Sequence, residues 1–210
     1  MKQKRFLYIL ILLIIYIFIS AVSYTRAVTK DISDNLFRLH VIANSDSDED
    51  QELKYIVRDK ILASIGEMCK NVNTKEEIVN IAKENMDEIK KIAKNTILEN
   101  GYDYSVNIDV GNFSFPTKYY GDVALPSGFY DALKIEIGQA EGNNWWCVMF
   151  PPLCFTDITS GIVPDSSKEY LKDNLSNEEY NLIAGDSADV KVKFKVVELF
   201  QNINTSLAQF

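Results

Sequence analysis

His40, Asn44 and Cys147 are the residue types of a thiol hydrolase, in which a cysteine thiolate attacks and an imidazole moves the proton. Such a thiol needs a nearby base and some exposure to ionise. Cys147 sits instead within Trp145-Trp146-Cys147-Val148-Met149-Phe150, where a thiol packs as a small hydrophobe. A single histidine in 210 residues also excludes any site that requires two imidazoles. Asp46, Asp48 and Asp50 have the spacing that opens a calcium loop. Its sixth position, however, is Gln51 instead of glycine, and its twelfth is Val57 instead of glutamate. These acids read as caps and first-turn charges of a helix, and no metal or cofactor is expected. Arg38 and His40 share a strand face opposite Phe37, Leu39 and Val41. A helix N-terminus beside them would attract an anion, but Asp46 already brings negative charge there.

The elements that position these groups follow from hydrophobic period. Phe37 to Ala43 alternates as a strand and runs into Asn44 to Asp50, a turn rich in capping groups. Either Asp46 with Glu49 or Ser47 with Asp50 makes the reciprocal cap. The helix that follows carries Leu53, Ile56, Val57, Ile61 and Met68 on one stripe. Thr74 and Glu77 cap a second helix with a stripe from Ile78 to Ile97, which Asn100-Gly101 ends. Tyr102 to Val110 alternates with polar residues as a half-buried strand. Phe115 to Lys118 and Leu125 to Gly128 read as irregular connections. Leu133, Ile135 and Ile137 mark a further strand, and Gly138 to Asn144 reads as a hairpin loop. Trp145 to Phe150 is apolar on both faces, which a central strand or a covered one requires. Lys168 to Leu175 and Glu178 to Ile183 read as short helices. Val190 to Val196 alternates like a strand, and Val196 to Ile203 fits a helix. The expected fold is α+β, with two amphipathic helices packed on a mostly antiparallel sheet and a C-terminal helical segment.

Lys2, Lys4 and Arg5 precede an apolar run from Phe6 to Val22 that only Ser20 interrupts. A basic cluster ahead of an apolar segment is an export signal, and seventeen residues is about the shortest length that spans a bilayer. Small residues at Ala21 and Ser23 suit a cleavage site, so residues 1–23 are either a removed signal peptide or an N-terminal membrane anchor. Residues 24–35 read as a linker, 36–160 as an extracytoplasmic α+β domain, and 161–210 as a C-terminal segment of the same domain. Acidic side chains outnumber basic ones 30 to 22, giving a net charge of −8. That balance repels phosphate backbones, so no nucleic-acid role is expected.

Three stretches resemble the stage II sporulation protein R family of endospore-forming bacteria. They are Arg38-Leu-His-Val-Ile-Ala-Asn-Ser-Asp-Ser47 with the helix to Ile61, Phe115-Pro-Thr-Lys-Tyr-Tyr-Gly121, and Tyr130 through Asn-Asn-Trp-Trp-Cys147 to Pro-Pro-Leu-Cys-Phe155. The resemblance implies a protein made in the forespore and exported into the space between two apposed membranes. There it would activate a membrane-embedded aspartic protease, which processes the precursor of the mother-cell sigma factor. It implies no enzymatic activity. The alternative from residue types is an extracytoplasmic cell-wall hydrolase using Cys147 or the acidic cluster.

A partner-contact surface is expected where the strand-end turn meets the Trp-Trp-Cys/Pro-Pro segment. Its candidates are Arg38, Asn44, Ser45, Asp46, Trp145, Trp146, Pro151 and Pro152. Tryptophan at such a place buries a large area while keeping one donor. Cys147 and Cys154 are a candidate disulfide, because the intervening prolines can turn the chain back until their α-carbons lie within about 7 Å. Cys69 has no obvious partner.

Overall fold

The computed structural model describes residues 2–70, 72–153 and 163–184 of the chain. The first helix, α1 (Lys2–Asp34), is continuous from the basic cluster into the body. It leads through Leu36 into strand β1 (Phe37–Ile42) and then α2 (Asp48–Met68). Helices α3 (Lys75–Glu84) and α4 (Met86–Glu99) follow. Next come strands β2 (Val106–Phe115), β3 (Lys118–Tyr120), β4 (Val123–Leu125), β5 (Gly128–Ile137) and β6 (Asn144–Phe150). Helices α5 (Asp165–Asn174) and α6 (Asn177–Ile183) complete the described chain. The architecture is α+β, as the hydrophobic periods indicate.

Local chemistry explains the helix ends. Ser47 is the N-cap of α2, and its hydroxyl accepts from the Asp50 backbone N–H at 3.2 Å. Asp48 and Glu49 add negative charge in the first turn, where the helix dipole favours it. Thr74 and Glu77 form the reciprocal box that opens α3. At the end of α4, Tyr102 N–H reaches Ile97 O and Gly101 N–H reaches Leu98 O. Gly101 takes φ +86°, so these bonds close the left-handed cap that glycine accepts without strain. The single second helix expected from Thr74 to Asn100 is interrupted at Asn85. The Asn85 side-chain amide donates to Ile81 O at 2.8 Å, and its backbone stands at φ −107°, ψ 18°. An asparagine that bonds the preceding turn competes with the helix ladder, so the stripe continues on a new helix.

Four strands form one sheet in the order β2-β5-β1-β6, with β1 parallel to β5 and the other pairs antiparallel. One face carries Leu39, Val41, Leu133, Ile135 and Cys147 against Leu53, Val57 and Ile61 of α2 and Ile89, Ala93 and Ile97 of α4. The other face carries Ala132, Tyr130 and Val148. Val28 and Ile32 of α1, Leu125 of the β3–β4 hairpin, Leu171 of α5 and Ile183 of α6 complete that second core. Strand β1 is buried over nearly its whole length because both faces of the sheet are covered.

Several expectations are corrected by this arrangement. Residues 24–34 belong to α1 and are not a linker: Val28, Thr29, Ile32 and Ser33 are buried in or beside the second core. Lys75 Nζ holds Ser33 O at 3.1 Å and Asn35 Nδ2 reaches Asn174 O at 3.4 Å. The strand expected from Tyr102 starts at Val106 and extends through Phe115. Leu125 belongs to β4. Most consequential, β5 and β6 are not a hairpin. Strand β1 lies between them, so the loop after Gly138 crosses roughly two strand spacings, about 10 Å, over the carboxyl end of β1. Strand β6 pairs with β1 alone among the described strands, and so is not central to the described sheet. The expected elements of 190–203 lie outside the described residues.

Candidate functional site

The crossing loop and the strand-end turn are laced together. Glu141 N–H donates to Asn44 O at 3.2 Å, and Gly142 N–H donates to Ala43 O at 3.0 Å. Gln139 N–H reaches Asn44 Oδ1 at 3.0 Å and Asn143 N–H reaches Asp46 Oδ1 at 2.6 Å. On the other side of the turn, Asp50 Oδ2 accepts from Asn44 Nδ2 at 2.8 Å and from Ser45 Oγ at 2.6 Å. Burial pushes the Asp50 carboxyl up, but bonds from Ser45, Asn44 and Tyr104 together outweigh it and hold the group below the usual aspartate value. Lys54 is buried beneath the loop and its Nζ reaches Asn143 O at 2.9 Å and Gln51 Oε1. Burial and the neighbouring Arg58 lower its pKa, against Asp46, which raises it. The loop can approach this closely because Gly142 has no Cβ: one built there would lie 2.1 Å from Ser45 O.

From this brace, β6 sends Trp145 and Trp146 to opposite faces. Trp145 lies edge-on to Tyr55, ring centroids 5.4 Å apart, and under the Arg58 guanidinium at 4.4 Å. Arg58 Nε also donates to Asp59 Oδ1 at 2.7 Å. Trp145 Nε1 has no hydrogen-bond partner among the described residues, and Tyr55 is 38% exposed. Trp146 stacks on His40 with centroids 3.8 Å apart and meets the Phe115 ring edge at 4.8 Å.

Arg38 lies deeper on that second face and is fully buried. Its guanidinium sits 4.1 Å from the Phe115 centroid and 4.6 Å from that of Tyr130. Nη2 donates to Tyr120 Oη at 2.8 Å, and Nε lies 3.5 Å from Cys147 O. No carboxylate pairs with it among the described residues. Ring faces carry negative potential, so stacking partly compensates the buried charge.

The expected contact residues therefore have different positions. Arg38 and Pro151 are buried and offer no surface; Asn44 and Ser45 bond inside the brace. Asp46 and Pro152 are exposed, and Trp145 and Trp146 are half-buried. The thiol-hydrolase grouping is not assembled. Leu39 is opposite Cys147 and His40 is opposite Trp146, so the cysteine and the imidazole project from opposite faces. Cys147 is disulfide-bonded and Cys69 is free, while Cys154 lies outside the described residues. No metal-holding group of histidine, cysteine and carboxylates occurs among the described residues. Sequence reading missed Lys54, Tyr55 and the Phe115, Tyr120 and Tyr130 cage. The glycine spacing of the 138–142 loop was the available signal for the brace.

Fold and site together define an α+β domain with a sheet covered on both faces and a braced, tryptophan-bearing surface at one strand end. The chain belongs to the stage II sporulation protein R family, whose model matches residues 33–160. It is similar to the Stage II sporulation protein R of Bacillus subtilis (strain 168), with 44% identity over 130 residues. That match covers 62% of this chain and 58% of the relative, so the chain spans under two-thirds of the relative's length. No solved structure matches. Both the family and the relative carry a sporulation name. Its matched span contains the whole brace and both tryptophans.

Proposed function

We propose that the chain is an exported signalling protein that activates a membrane-embedded sporulation aspartic protease, which then processes the precursor of the mother-cell sigma factor. It acts by binding, without chemistry of its own. The observation that carries export is the exposed stretch Phe6–Ile19 of α1, fourteen consecutive large apolar residues, each 41–69% exposed, directly behind the basic cluster. A large exposed apolar patch marks a surface that lipid or another protein covers, and a basic cluster directly ahead of it favours the membrane and the export machinery. No helix among the described residues is long and apolar enough to cross a membrane. The exposed stretch rises about 21 Å against a hydrocarbon core of about 30 Å. On this reading the segment acts as an export signal, and the body works in the space between the forespore and mother-cell membranes.

The contact surface is Asp46, Trp145, Trp146 and Pro152, joined by Tyr55. Photo-crosslinking groups placed at Tyr55 and Asp46 should capture the protease from sporulating membranes, whereas one at exposed Glu88 should not. Capture of no membrane protein from either position would overturn the proposed surface. We also infer that Cys154 is the partner of Cys147. The unreduced protein should then weigh two hydrogens less than the reduced form, and three free thiols would end that assignment.

A further inference from the structure

His40 is the chain's only histidine, and it is buried at 7% exposure. Its ring is confined by the stacked Trp146 indole and by Phe115, 5.9 Å away edge-on. Nε2 lies 2.6 Å from Asn144 Oδ1, so that nitrogen carries the proton and donates. Nδ1 is buried with no hydrogen-bond partner among the described residues. Protonation would therefore place a second N–H, and a full charge, where no acceptor meets it.

The surrounding charges oppose protonation as well. Arg38 lies two residues along the same strand face, and Lys134 of β5 is the register partner of His40. The carboxylate in this row is Glu136, which is engaged by Lys134 Nζ at 2.8 Å and by Asn107 Nδ2 at 2.9 Å. Asp109 of β2 lies in register with Lys134 and is exposed. Strand β6 brings Asn144 and Trp146, and the β3–β4 hairpin brings the Tyr120 hydroxyl, none of them charged at neutral pH.

We propose that the His40–Trp146 stack is a proton-sensitive fastener for the start of β6. The neutral imidazole holds Asn144 and Trp146 on the sheet, and the imidazolium releases them. Burial is the main cause that pushes the His40 pKa below its ordinary 6.5; the bond to Asn144 and the charge of Glu136 raise it, and Lys134 and Arg38 lower it. Because the folded value is the lower one, the fastener is at full strength above pH 6.5. It weakens as pH falls from 6.5 towards the folded value. Trp146 belongs to the proposed contact surface, so acidification would also loosen partner contact. That consequence rests on the contact reading, but the fastener does not.

The test uses the full chain in detergent, without an added histidine tag, titrated from pH 8 to pH 5. The His40 ring proton gives a single imidazole signal by NMR. A Trp145→Phe background leaves Trp146 as the one indole for fluorescence. The ring should titrate with a midpoint below 6.5, and Trp146 emission should shift to the red with the same midpoint. His40→Gln, which keeps a donor for Asn144, should abolish the emission change. A ring midpoint at or above 6.5 overturns the proposal, as does emission that stays flat through the ring's titration or a change that persists in His40→Gln. If that variant does not fold, agreement or disagreement of the two midpoints decides. Failure of the chain to activate the protease at any pH would sink the contact reading and leave the fastener standing.

Discussion

At the scale of single residues, the brace is held by contacts that tolerate little change. A Cβ at Gly142 would sit 2.1 Å from Ser45 O and 2.5 Å from Ser45 C, both backbone atoms that cannot swing aside. Gly142→Ala should therefore cost about 1–3 kcal/mol, the usual range for overpacking, read as a lower denaturant midpoint. An unchanged midpoint would mean that the loop does not cross β1 as described. Asp50 provides a pH test of the same brace. Its folded pKa lies below the ordinary 3.8, so the ionised form stabilises the fold above pH 3.8. That contribution is lost as pH falls below 3.8 through the folded value. Asp50→Asn, which keeps an acceptor but no charge, should flatten this acid limb of the stability profile. A limb as steep as the wild type's would show that other carboxylates produce it; Asp131 and Glu136 also titrate low.

Among the elements, α1 changes meaning most. Its carboxyl-terminal third is body: Ile32, and Leu36 just beyond the helix end, are fully buried in the second core with Leu125 and Leu171. If residues 24–35 were a linker, truncating Ile32 would change nothing. As part of a core, Ile32→Ala should cost about 2–5 kcal/mol. Thermal or chemical unfolding of the two forms decides between these values. The same packing implies that a body started at Leu36 would expose Leu125, Leu171 and Ile183 and accumulate poorly.

On the scale of the whole molecule, the proposed export gives the exposed and the buried parts of α1 different tasks, delivery for one and folding for the other. The residues Phe6–Ile19 are exposed and none belongs to either core, so charges at Ile11 to Ile15 should leave the fold intact. Replacing Ile11 to Ile15 with charged residues opposes membrane insertion by about 2.5–3.5 kcal/mol for each charge near the bilayer centre. The altered protein should stay in the forespore cytosol with normal unfolding behaviour, and precursor processing should stop. Continued processing by a protein shown to be cytosolic would exclude action from outside the forespore membrane.

The sequence alone determined features that depend on near neighbours in the chain. The Thr74–Glu77 box, the glycine stop after α4, the apolar run of α1 and the stripes of α2 and α4 are of this kind, because helix period and capping are set within a few residues. It also supplied the words Arg38 to Ser47 and Trp145 to Cys147 that carry the family likeness. Which strands are neighbours was decided by tertiary structure. The loop from Gly138 to Asn143 reads equally well as a hairpin or as a crossing over β1, since its turn residues suit both. Only insertion of a strand buried on both faces selects the crossing. The same insertion puts His40 and Cys147 on opposite sides of the sheet, although both belong to residue types that chemistry would join. Burial of Arg38 was equally hidden. An arginine in a strand ordinarily reaches water, and this one is kept inside by Phe115, Tyr120 and Tyr130, which approach from 77 or more residues away. A polar residue's burial depends on what covers its face of the sheet, and that covering is assembled from distant parts of the chain.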